Sequence, residues 1–112
     1  RHAAVLPVEG ALLVFFSRVG DAPESIYFAW MELGPDWMQW GSKMSAAALL
    51  LEPKERYEGG HLPVGASPSG PSKGEARQLR DPAVYAEAGR LFLFYAVAGE
   101  HGIAGAELLA AP

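Results

Sequence analysis

One stretch of this chain occurs twice in related form. Arg1–Asp21 reads RHAAVLPVEGALLVFFSRVGD and Arg80–Glu100 reads RDPAVYAEAGRLFLFYAVAGE; shifted by 79 positions, the two align over 21 residues without a gap. Arg1 falls on Arg80, Ala4 on Ala83, Val5 on Val84, Gly10 on Gly89, Leu12 on Leu91, Phe15 on Phe94 and Gly20 on Gly99, while Asp21 meets another carboxylate, Glu100. Such a repeat constrains the fold more than any motif, because one unit cannot bury its apolar faces alone and must pack against neighbours.

Each unit reads as β structure. In the first, Ala3–Val8 is short and apolar and ends at the turn Glu9-Gly10. Ala11–Ser17 is a continuous apolar run suited to a strand buried on both faces. Arg18–Glu24 is a polar turn, Ser25–Leu33 an aromatic-rich third strand, and Gly34-Pro35-Asp36 a break. Ala46–Leu51 reads as a fourth strand; its lack of β-branching favours helix locally, but its place after three meandering strands favours strand. The second unit repeats the order: strand Pro82–Glu87, turn Ala88-Gly89, strand Arg90–Val97, polar turn Ala98–His101, strand Gly102–Leu109, and no fourth strand. Between the units, residues 53–79 hold five Gly, four Pro and three Ser in 27 positions without periodicity. They read as a structureless connection, either a solvent loop or a functional one.

Tandem four-stranded antiparallel meanders mark β-propeller blades, which stack around an axis. The expected fold is therefore all-β, with 1–52 as a first blade, 53–79 as the connecting loop and 80–112 as a second, incomplete blade. A β-sandwich is the competing architecture, although its strands need not repeat as a module. At 112 residues the chain is one domain at most, and with half its residues hydrophobic and a fifth charged it is not composed like a disordered chain. A net charge of −4 argues against nucleic acid as a partner. No apolar run approaches a membrane span, no signal peptide is visible, and cysteine is absent, so the compartment stays open with a soluble cytoplasmic chain as the default expectation. The chain begins with Arg1 rather than Met, which leaves a processed product, a trimmed piece and a fragment all open.

In a meander, successive turns alternate between two ends. If the first strands begin at the top, the top collects Arg1, His2, Arg18, Asp21, Glu24, Arg80, Asp81, Glu100, His101 and the 53–79 loop, and the bottom turns carry little beyond Glu9, Asp36 and Glu87. Groups able to do chemistry thus gather at one mouth of the scaffold. Asp81 heads an inner strand in Arg80-Asp81-Pro82, and Pro82 biases it toward extended backbone. Its carboxylate either accepts sugar hydroxyls and steadies developing positive charge, or caps a turn and pairs with Arg80. Glu100 in the next top turn is either a general acid raised by desolvation or an exposed turn residue. His2 occupies the position equivalent to Asp81 and is either functional or merely solvent-exposed. Arg1, Arg18, Arg80 and Asp21 complete the candidate substrate-binding set. His2, His61 and His101 are too scattered to suggest a metal, and no cofactor is implied. Trp30 reads as core packing, and Trp37 and Trp40 as aromatics packing between blades.

With these residues placed, RDPAVYAEAGRLFLFYAVAGEHGIAGAEL resembles a blade of the five-bladed β-propeller glycoside hydrolases, the group that includes families 32, 43, 62 and 68. LLVFFSRVGDAPESIYFAWMEL is similar to the second and third strands of another such blade. The resemblance covers roughly three quarters of the chain. It implies a carbohydrate-active module that cleaves glycosidic bonds with three acidic residues from separate inner strands. Asp81 matches the aspartate of the Arg-Asp-Pro motif that steadies the oxocarbenium-like transition state in fructan-processing members. His2 stands where another acid would be expected. The other reading is a non-catalytic sugar-binding or structural propeller piece. About two blades do not close a ring, so the expected partners are a carbohydrate ligand and either the remainder of a longer chain or further copies in a cyclic homo-oligomer, a trimer giving about six blades.

Overall fold

The computed structural model describes residues 1–109; residues 110–112, which end the expected second unit, lie outside the described residues. β1 (Ala3–Val8), β2 (Ala11–Phe16), β3 (Ile26–Glu32) and β4 (Ala48–Leu51) form an antiparallel sheet in that order, and β5 (Arg80–Glu87), β6 (Arg90–Val97) and β7 (Gly102–Leu108) form a second. The expectation of two antiparallel meanders, four strands and three, holds. The helical alternative for the leucine-rich segment fails, because β4 completes its edge hydrogen bonds against Ile26, Tyr27 and Phe28. No helix among the described residues is long and apolar enough to cross a membrane.

The repeat extends to the hydrogen-bond register. Ala4 pairs with Phe15 and Val5 with Val14, and 79 residues on, Ala83 pairs with Phe94 and Val84 with Leu93. The β5–β6 hairpin closes on Ala88 (φ 50°) and Gly89 (φ 75°), the two left-handed residues whose twist matches that of the flanking strands.

One core lies between the sheets. It is built from Phe15 and Ile26 of the first, Leu93, Tyr95 and Val97 of the second, and Leu79 from the connection. Strand alternation decides which side chains reach it. Phe15 is 2% exposed whereas its repeat equivalent Phe94 is 42% exposed, and Val84 packs on the core whereas its equivalent Val5 points away. The two sheets therefore meet through opposite faces of the repeated unit. This also corrects the expectation that the second strand is buried on both faces. Phe15 is the one fully buried residue of β2, since no neighbour covers the strand's outer side here.

Three further expectations change. The connection 53–79 is not structureless. It contains a 3-10 turn, Arg56–Glu58, and stitches the sheets together: the Leu79 amide donates to the Glu24 carbonyl at 2.9 Å, and Gly20 and Ser67 exchange backbone bonds with Ser67 and Asp21 at 3.1 Å each. Glu58 is buried, accepting from the Lys54 and Glu55 amides at 3.1 and 3.0 Å and from the Tyr95 hydroxyl at 2.8 Å. Burial first, then this bond to a carboxylate, pushes the Tyr95 phenol well above its ordinary value. Trp30 is not core but half exposed; two residues past Phe28 on the same face, it runs beyond the cover of the three-stranded second sheet. Trp37 and Trp40 lie on a second 3-10 segment, Trp37–Lys43, where Asp36 accepts from the Met38 amide, the Trp40 indole donates to the Gly34 carbonyl at 2.9 Å, and Trp37 is largely exposed. Trp40 braces the β3–β4 connection locally.

Candidate functional site at the heads of the inner strands

β1 and β5 are neighbours across the interface, so the heads of the two strands converge. Beneath the surface they form a chain of charges. Arg1 grips Glu24 with two parallel bonds, Nε to Oε2 at 2.8 Å and Nη2 to Oε1 at 2.9 Å, and Ser17 Oγ donates to the same carboxylate at 2.5 Å. Arg80 donates through Nη1 to Glu100 Oε1 at 2.8 Å, through Nε and Nη2 to Gln78 Oε1, and its Nε stands 4.0 Å from Glu24. The repeat-equivalent arginines share one acceptor, the Gly70 carbonyl, at 3.1 Å from Arg1 and 2.9 Å from Arg80. Glu24 is fully buried and Arg80 is 1% exposed. Burial alone would push the Glu24 carboxyl up, but hydrogen bonds from Arg1, Ser17 and Ser67 outweigh it and hold the group below its usual range. The Glu24 carboxylate in turn raises the Arg1 guanidinium. Desolvated ions this well paired act as scaffold.

At the surface above this ladder, Asp81 Oδ1 and His2 Nδ1 stand 2.5 Å apart, with side-chain exposures of 36% and 77%. Asp81 has φ 51°, which corrects the extended backbone expected from Pro82. The cause is a bulge: Arg80 pairs with Ala96 and Ala83 with Phe94, so Asp81 and Pro82 together oppose Tyr95. Asp81 here takes the left-handed conformation found in one class of bulge, and Asp tolerates that region better than most residues. The bulge outweighs the pre-proline preference and turns the carboxylate toward His2.

The other sequence candidates divide. Arg1, His2, Arg80, Asp81 and Glu100 belong to this one assembly. Arg80 is buried within it and presents no free edge to solvent, and Glu100 accepts from both Arg80 and the Ser72 amide, at 2.8 and 2.9 Å. Arg18 lies elsewhere, its guanidinium over the rings of Tyr27 at 4.1 Å and Phe16 at 5.6 Å. Asp21 bonds through its backbone to Ser67, and its Oδ2 is buried without a hydrogen-bond partner among the described residues. His61 and His101 share an open cleft with Arg56, Tyr57 and Glu75, but no cluster of three His, Asp or Glu able to hold a metal occurs among the described residues. Sequence reasoning placed Glu24 on the right face without seeing its role, and missed Gln78 and the Gly70 carbonyl. Nothing in a lone Gln or a loop Gly signals that an arginine from a distant strand will dock there.

No family model matches the chain, and no solved structure matches it. The chain is 39% identical over 108 residues to "Uncharacterized protein R118" of Acanthamoeba polyphaga mimivirus, an alignment that covers 96% of this chain and 30% of that protein. The chain thus spans less than a third of the length of the curated relative it matches.

Proposed function

We propose that this chain is a carbohydrate-recognising piece of a propeller, with Asp81 as its ligand-facing carboxylate. The observation that carries the reading is the Asp81–His2 pair: an aspartate in a left-handed conformation, a third exposed, held by the equivalent residue of the other unit. Backbone strain of this kind concentrates at ligand-binding positions, and a carboxylate braced on one oxygen is suited to accept a sugar hydroxyl on the other. The resemblance to the Arg-Asp-Pro blade supports the same role.

Glycosidic hydrolysis needs a second carboxylate roughly 5–9.5 Å from the first across the scissile bond. Glu24 is sealed under Arg1, and Glu100 is fixed through Oε1 by Arg80 and Ser72 with its side chain 38% exposed. We read the chain taken alone as a binding unit, with the further acids of a hydrolase supplied by other blades. A purely structural role is the second reading, favoured by the burial of Arg80.

The test is a titration of the chain with neutral mono- and oligosaccharides, followed by amide chemical shifts. Saturable shifts centred on residues 2–4 and 80–83, lost in Asp81→Asn, are expected. Equal binding by Asp81→Asn would take the ligand-facing role from Asp81, and no binding across the panel would leave the structural reading in its place.

A further inference from the structure

The outer faces of the two sheets are both apolar. On the second sheet, Tyr85, Phe94 and Ile103 are exposed, with Phe92 half buried beside them. On the first, Val5 and Leu49 are exposed, with Val14, Phe16 and Tyr27 half buried. Each sheet therefore leaves uncovered a side rich in the residue types that normally leave water.

The chain carries its own template for what covers them. Within the core, Leu13 and Phe15 of the first sheet pack with Val84, Leu93 and Tyr95 of the second. Shifted by 79 positions, Leu13 and Phe15 become Phe92 and Phe94, which line the outer face of the second sheet. Shifted back, Val84, Leu93 and Tyr95 become Val5, Val14 and Phe16, which line the outer face of the first. Each outer face thus presents the positions that the other needs. The first hairpin of each unit keeps the same register from Ala4 and Ala83 onward, so the side chains of those strands project at matching heights. Gly105 keeps the second face open, because a Cβ there would stand 3.0 Å from the Phe94 ring.

We infer that copies of this chain associate head to tail, the outer face of the second sheet in one copy seating on the outer face of the first sheet in the next. The occupant of both faces is a second copy. Such contacts join unlike surfaces and repeat until a ring closes. A two-fold pairing of like faces has no counterpart inside the chain. The cations on these faces stand over aromatic rings: Arg18 over Tyr27 and Phe16, and Arg90 over Phe92 at 4.9 Å while paired to Glu107. Their stems extend the apolar surface. The inference stands whether or not the assembly binds sugar.

Light scattering on a size-exclusion column tests it with the wild-type chain, Val5→Glu, Phe94→Glu and their equimolar mixture. Both substitutions lie on exposed positions, and circular dichroism confirms that the variants fold. Should Val5→Glu fail to fold, Leu49→Glu, on the same face and equally exposed, replaces it. The wild type is expected at a multiple of 12.0 kDa. Each variant alone is expected as a monomer, and the mixture as a two-chain species, because one intact face of each remains to pair. A monomeric wild type, a Val5→Glu variant that still dimerises through second-sheet faces, or a mixture that stays monomeric would overturn it.

Discussion

His2 and Asp81 hold equivalent positions in the repeat and meet each other, Nδ1 to Oδ1 at 2.5 Å, across the line where the two sheets converge. On the carbohydrate reading proposed above, the pair is where a ligand would reach both units at once. The Arg1–Glu24–Arg80–Glu100 ladder beside it, buried at Glu24 and Arg80, ties the two strand heads together.

Asp81 is held by backbone as well as by side chain, and the two contributions separate by substitution. Asp81→Gly removes the bond to His2 but accepts φ 51° freely, so the urea midpoint should stay the same or rise. Asp81→Val must carry a β-branched side chain in the left-handed region, at a cost of roughly 1–2 kcal/mol. Equal midpoints for the two variants would show that the bulge does not constrain this residue.

Glu24 makes stability depend on pH. Its native pKa lies below the ordinary 4.5, so the folded state binds fewer protons than the unfolded state as pH drops. Its stabilisation is complete above pH 4.5 and drains away as pH falls through the lowered native value. Glu24→Gln leaves Arg1 without its counter-charge and should cost about 3 kcal/mol near neutrality. Urea midpoints measured from pH 7 to pH 3 should show the gap between wild type and variant narrowing below pH 4.5. A constant gap would place the acid sensitivity elsewhere.

The strands were legible because their signals are local. Ala3–Val8 and Arg90–Val97 are bounded by turn residues and filled with apolar ones, and their observed limits match. The repeat read from the sequence carries into the register of each first hairpin, from Ala4 and Ala83 onward. What stayed hidden depends on partners far away in sequence. Arg80 reads as a free cation until Gln78, Gly70 and Glu100 close on it. Asp81 reads as extended because the bulge that turns it is set by pairing with β6. Residues 53–79 read as structureless because their order comes from single polar bonds and a buried Glu58, which leave no hydrophobic period. The candidate site was half legible: the face was found from strand direction, but which arginines lie under the surface was not.

Phe15 and Phe94 are the same residue at the same repeat position, yet 2% and 42% exposed. Phe15→Ala should cost ~3–5 kcal/mol by emptying the core. Phe94→Ala, measured where the chain is dilute and dissociated, should stay within about 1 kcal/mol. Raising the protein concentration should enlarge the second effect and leave the first unchanged, since association then buries Phe94. Equal costs at every concentration would contradict the opposed-face packing of the two sheets.

Gly59 reports on whether the connection is built or merely long. It closes the Arg56–Glu58 turn with φ 85°, and a Cβ there would stand 2.5 Å from the Ala76 carbonyl oxygen. The strain of the left-handed conformation alone is worth roughly 1–2 kcal/mol, and backbone cannot yield to the clash as a flexible side chain can. Gly59→Ala should therefore lower stability by about 2 kcal/mol or more and displace Glu58 from the Tyr95 hydroxyl, which it meets at 2.8 Å. Because the same segment carries Gly70 and Gln78 to the two arginines, its loosening should expose residues 60–76 to limited proteolysis. Asp81-dependent ligand shifts, if present in the wild type, should weaken alongside. A Gly59→Ala chain as stable and as protease-resistant as wild type would show that the segment does not brace the site.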